Sequence, residues 1–171
     1  MQELQQYERD APPPAEPTLR ETVRYLFDEI QRRAYQSTKG LTPEQVNHVP
    51  GHDAMSIGAI LVHQLRLIGF ITNNLKPGAV ERFPEGAFGV EGNWDFESIL
   101  AHRERINEIF RQVWVEVDDA TLMTKRPEMP LPAWADWPVL MRFLRPLTDA
   151  ATHVGQVNYI RRQLGNPVGT Y

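Results

Sequence analysis

At 171 residues the chain is long enough for one domain with a single buried core. Its 42% hydrophobic and 23% charged residues are ordinary for a globular protein, and 18 basic against 22 acidic residues leave a net charge of −4, which gives no support to a nucleic-acid binder working by phosphate neutralisation. The absence of cysteine excludes disulfides, thiolate nucleophiles and zinc–thiolate sites, so a metal here has to use imidazole, carboxylate and water.

The first ten residues, Met1 to Asp10, lack the basic-then-apolar order of a secretory signal, and no apolar run approaches the roughly 20 residues that span a bilayer. A cytoplasmic location with no membrane partner is the expectation. Residues 1–17 form an extended leader, stiffened by the prolines between Asp10 and Pro17, and residues 18–171 form one helical domain.

Pro17 suits a first helical position, and Leu19, Val23, Leu26, Phe27, Ile30 and Ala34 behind it follow one stripe of a helix that Gly40 closes. Leu41-Thr42-Pro43-Glu44-Gln45 reads as a turn or a helical turn, and Pro50-Gly51 breaks the chain again. A second helix is predicted from about Ser56 to Leu75. The glycine-rich stretch from Lys76 to Trp94 follows as a loop long enough to be functional or mobile. A third helix spans about Asp95 to Val115, with Asp95 as its cap, and a proline-broken crossing from Pro127 to Pro138 carries Trp134 and Trp137. The last helix runs from about Trp137 to Leu164, stops at Gly165, and should kink or split at Pro146. Four periodic helices and no alternating strand predict an all-α four-helix bundle with long loops and no internal repeat.

Two places carry residues able to do chemistry. His63 shares a helical face with Ile60 and Leu67; by itself it reads as a core-edge histidine satisfied by a local hydrogen bond. Asp149 and His153 lie four apart, the spacing by which one helix offers two ligands to one ion. Equally, Asp149 can offset a helix N-terminus created at Pro146, and His153 can be a titrating surface residue. By angular phase Leu140, Phe143, Leu144, Leu147, Ala151 and Val154 form the buried stripe, which sets both candidate ligands to one side and places a site at the mouth of the bundle. Gln156 follows as an orienting donor or a substrate contact, the alternatives being a helix-capping or an inter-helix hydrogen bond. Arg103 falls inside the apolar stripe of the third helix and is expected to snorkel to solvent, the alternatives being to face the pocket or to pair with Asp149. His48, His52 and His102 read as surface residues. Trp134 and Trp137 read as packing of the crossing onto the bundle or as a pocket wall.

The run Thr148-Asp149-Ala150-Ala151-Thr152-His153-Val154-Gly155-Gln156, with its apolar and basic continuation to Gly165, resembles the C-terminal helix of the DinB/YfiT-like superfamily. In that family the helix typically reads His-x3-His-x-Gly-Gln. Ser56-Ile57-Gly58 through His63 likewise looks like the family's second helix, which supplies a further histidine. The resemblance extends from about Thr18 to Gly165 in helix order and loop placement. It implies a DinB-like four-helix bundle, often a homodimer, with a three-histidine site for a divalent ion such as zinc or nickel. Carried over by position, the ligands are His63, Asp149 and His153, with aspartate standing where the family usually has histidine. Two imidazoles and one carboxylate still leave open positions, lower the positive charge of the site by one and favour harder ions such as manganese or iron. The same departure also fits a member that has lost its metal. The activity implied is a metal-dependent transferase or hydrolase acting on a small molecule. A low-molecular-weight thiol would have to come from outside, and the Lys76–Trp94 loop is placed to cover the site. The alternative is a non-catalytic bundle that binds a small ligand or serves a stress response. DNA repair, suggested by the family's name, gains nothing from the acidic composition.

Overall fold

A computed structural model describes residues 12–126 and 134–168, so most of the leader and residues 127–133 of the crossing lie outside the described residues. The described residues are all-α apart from one small hairpin. The first helix, α1 (Leu19–Thr38), begins two residues later than the Pro17 expectation. Thr18 is its cap: the hydroxyl accepts from the Glu21 amide, and the Glu21 carboxylate accepts from the Thr18 amide. This reciprocal box satisfies two donors that the helix itself cannot. Gly40, at φ 71°, turns the chain after α1. The same box, Thr42 with Gln45, starts the short α2 (Pro43–Asn47), at the place of the expected helical turn.

Ser56 caps α3 (Ile57–Leu75) and Asp95 caps α4 (Phe96–Trp114), in agreement with the expected bounds. A five-residue α5 (Asp119–Met123), capped by Asp118, has no counterpart in the sequence reading; it is too short to show periodicity. The last helix, α6 (Val139–Gln163), runs unbroken through Pro146 and is not split there. Proline removes a single ladder bond, and the buried Phe143, Leu147 and Ala150 on either side keep this stretch packed on the core.

Residue pairs fix the directions of the four long helices. Phe27 stacks on Phe110 at 3.8 Å and Arg20 reaches the Trp114 carbonyl, so α1 and α4 are antiparallel. Phe27 also meets Phe143, and Arg161 donates to the Ser37 carbonyl, so α1 and α6 run the same way. Gln64 donates to the Ala150 carbonyl, while Phe70, further along α3, packs on Trp134 ahead of α6; these two helices are antiparallel. It follows that α3 and α4 are parallel, and the loop between them must return the length of the molecule.

That return explains several residues of the loop. Asn73 exchanges two hydrogen bonds with the backbone of Val80, pinning the descent onto α3. A two-stranded antiparallel hairpin, β1 (Gly89–Val90) with β2 (Asn93–Trp94), ends it. Trp94 then lies against the start of α3: its indole N–H donates to the Ser56 hydroxyl, and a Cβ on Gly58 would collide with its ring. The core inside the four long helices is built from residues such as Phe27, Ile60, Leu65, Ile106, Phe110, Phe143 and Val157. No helix among the described residues is long and apolar enough to cross a membrane.

Candidate metal centre

The antiparallel α3–α6 seam brings the three predicted ligands together. His63 Nε2 lies 3.3 Å from Asp149 Oδ2, and His153 Nε2 lies 3.6 Å from Asp149 Oδ1. The two imidazoles meet edge to face with centroids 4.8 Å apart, and one ligand atom from each of the three residues lies within 4.8 Å of the others.

The buried stripe of α6 differs from the sequence expectation. Ala150 is buried and Ala151 exposed, and Val139, Phe143, Leu147, Val154, Val157 and Ile160 complete the covered face. The helix packs on both α1 and α3, so its covered arc is wide and turned toward Ala150. His153 therefore sits at the edge of the core, with 10% of its side chain exposed, instead of to one side of it. His63 and Asp149 each keep 38% exposure and open the trio to solvent.

Gln156 fixes the histidine. Its amide oxygen lies 2.7 Å from His153 Nδ1, so Nδ1–H donates and Nε2 keeps its lone pair facing Asp149. The i, i+3 spacing on one helix makes this contact possible. Gln64, next to His63 in sequence, also matters, and the sequence reading missed it. Its amide donates to the Ala150 carbonyl at 3.2 Å, tying α3 to α6 beside two of the candidate ligands. The available signal was a glutamine in phase with the apolar stripe of α3, four residues after Ile60 and four before Ile68.

The donor set suits a divalent ion. Ligand bonds of about 2.0–2.2 Å put neighbouring donors roughly 3.0–3.5 Å apart, close to the two histidine–aspartate separations. With three protein donors and an exposed side, coordination positions are left for water or substrate.

Other candidates lie elsewhere. Arg103 is buried at 5% exposure and donates to Gln31 on α1, so it neither snorkels nor pairs with Asp149. The cost of burying a guanidinium is offset here by a polar partner across the helix interface. His102 is no free surface residue: Nδ1–H donates to the Ser98 carbonyl, and its ring packs on Phe83 and Phe88 of the crossover loop. His48 and His52 are exposed, with His52 beside Asp53. Trp134 and Trp137 stack at 5.3 Å, and Trp134 meets Phe70 edge-on. The loop itself forms, with the α3 face of Val62, Arg66 and Asn73, a groove of about 1260 Å³. That face is a quarter-turn or so from His63, so the loop flanks the trio and does not close over it.

No protein-family model matches the chain, no curated protein matches it, and no solved structure matches it.

Proposed function

We propose that the chain is a metal-dependent enzyme of the DinB/YfiT-like four-helix type, a transferase or hydrolase that acts on a small molecule through an ion held by His63, Asp149 and His153. The observation that carries this reading is the convergence of three ligand-type side chains, His63 being 86 residues from Asp149, with donor atoms within 4.8 Å. The Gly155-Gln156 context supports the family assignment, because Gln156 is the residue that orients His153. Zinc and nickel are the leading ions, with manganese and iron favoured by the carboxylate. When bound, the ion supplies Lewis acidity, which lowers the pKa of a coordinated water or thiol. The protein's own part is positional. Gln156 holds the His153 lone pair toward the ion, Asp149 lowers the charge of the site, and the exposed side admits substrate. With no cysteine in the chain, thiol chemistry uses an external low-molecular-weight thiol. A cytoplasmic homodimer completes the proposal.

One observation favours a second reading, a non-catalytic bundle that binds a small ligand. Asp149 Oδ2 lies within hydrogen-bond reach of His63 Nε2 at 3.3 Å, so the carboxylate has a protein partner with no ion. Metal analysis of untagged protein incubated with zinc, nickel, manganese and iron separates the two. The enzyme reading expects about one ion per chain, sharply reduced in both His63→Ala and His153→Ala. Less than about a tenth of an ion per chain with every metal would overturn it in favour of the second reading.

A further inference from the structure

Arg142, in the first turns of α6, is the largest fully buried side chain of the described residues, with 1% of its surface exposed. Its Nε donates to the Trp134 carbonyl at 2.9 Å and Nη2 to the Ala135 carbonyl at 2.8 Å. Nη1 is buried with no partner among the described residues. No carboxylate among them answers the charge. Other arginines that are partly withdrawn from solvent do have one: Arg24 with Asp28, Arg32 with Glu29, Arg111 with Glu108.

Arg161 shows how this chain surrounds a buried guanidinium with carbonyl oxygens. Its nitrogens donate to the carbonyls of Ser37, Lys39 and Asn166 and to the Asn166 side chain. The first two carbonyls belong to the C-terminal end of α1, where the helix dipole is negative. Arg142 has the opposite surroundings. It lies at the N-terminal end of a 25-residue helix, where the dipole is positive, with no side chain capping that end and no acidic residue in the first turn. A buried cation, a positive helix end and an unmet N–H donor all call for negative charge at the same place.

We infer that Arg142 and the first turn of α6 bind a small anion, the carboxylate or phosphate group of a metabolite. Nη1 is shielded from solvent, so the anion enters as the Trp134–Trp137 turn moves aside. That turn is held by its two carbonyl bonds to Arg142 and by the edge contact of Trp134 with Phe70. Charge-assisted bonds from the guanidinium then replace an unmet donor, and the stacked indoles shelter the bound group.

The register along the seam gives the anion a place in the chemistry. Asp149 follows Arg142 by seven residues on one face of α6, and Phe70 follows His63 by seven on the facing helix. Seven residues of helix span about 10 Å. An anionic substrate held at Arg142 would have to span that length to reach the candidate metal centre. This last step rests on the metal reading; the anion site does not.

The test uses the full chain stripped of metal with chelator and titrated calorimetrically with inorganic phosphate and, separately, with 3-phenylpropionate. Saturable one-to-one binding of at least one is expected, with phosphate or carboxylate preference naming the group. Arg142→Gln should weaken it roughly tenfold or more, with Arg142→Lys in between. The Arg142 Nε–H resonance of the unmutated protein should shift during the titration, a readout that survives if the variants fail to fold. No saturable binding of either probe, equal affinity in Arg142→Gln, or an unmoved Nε–H resonance overturns the inference. Metal content is measured separately, so loss of the metal reading leaves this result standing.

Discussion

The role of Gln156 turns on one proton. An imidazole offers a lone pair at Nε2 only while Nδ1 carries the hydrogen, and the 2.7 Å contact with the Gln156 amide oxygen holds it there. Gln156 is itself exposed, so replacing it leaves the core intact. Gln156→Leu should therefore keep wild-type stability yet weaken metal binding by about 10–100-fold, as loss of an orienting partner does elsewhere. Competition against a chromogenic chelator measures this, and unchanged affinity would mean that the contact orients nothing. Gln156→Glu should retain most of the affinity, since it keeps an acceptor on the same stem. The sequence alone left Gln156 between this role and an inter-helix hydrogen bond, because spacing places a side chain on a face without saying which nitrogen it meets. Arg103 illustrates the same gap. Its stripe position was readable, whereas its Gln31 partner, 72 residues away, belongs to a neighbouring helix that periodicity cannot identify.

Two glycines in helices show how elements meet. Gly58, near the start of α3, has no room for a Cβ because the Trp94 ring of β2 lies on it, while Gly155 in α6 has nothing within 4 Å. Neither has a positive φ. Gly58→Ala should then cost about 1–3 kcal/mol, since the indole must be displaced from its bond to Ser56. Gly155→Ala should stabilise by about 0.5–1 kcal/mol through lower backbone entropy in the unfolded chain. Urea unfolding of the two variants checks both signs, and equal stabilities would remove Trp94 from the start of α3. The long elements were legible from sequence to within about two residues, because an amphipathic stripe repeats over several turns and Ser56 and Asp95 announce their helices chemically. The short ones were not: α5 and the hairpin are too brief to establish a period. The phase of α6 differs from its pattern by one position, at Ala150 against Ala151. A single-stripe pattern assumes one packing partner, and this helix packs on α1, α3 and α5.

For the whole molecule, the consequence of antiparallel α3 and α6 is that the candidate ligands come from helices far apart in sequence yet packed along one seam. Periodicity predicted each helix, but only contacts such as Gln64 to Ala150 and Phe27 to Phe110 decide which neighbours touch and in which direction. The site was legible as residue types because His63, Asp149 and His153 carried the chemistry. Their convergence depended on the antiparallel register of α3 and α6, which no local pattern encodes. Binding of an ion at this trio would couple to global stability. An ion held by His63 on α3 and by Asp149 and His153 on α6 binds the folded chain and has no equivalent site in the unfolded one. At free metal about 100-fold above its dissociation constant, the native state gains about 2.7 kcal/mol, which for a chain of this size raises Tm by roughly 5–10 °C. The rise should grow with the logarithm of metal concentration. In His63→Ala it should vanish while the metal-free Tm stays close to wild type, because the lost imidazole is 38% exposed and contributes little packing. Calorimetric scans over a zinc and a manganese series test the coupling. A Tm independent of both metals in the unmutated protein means that the trio holds neither ion, whereas an equal rise in His63→Ala moves the ion to other residues.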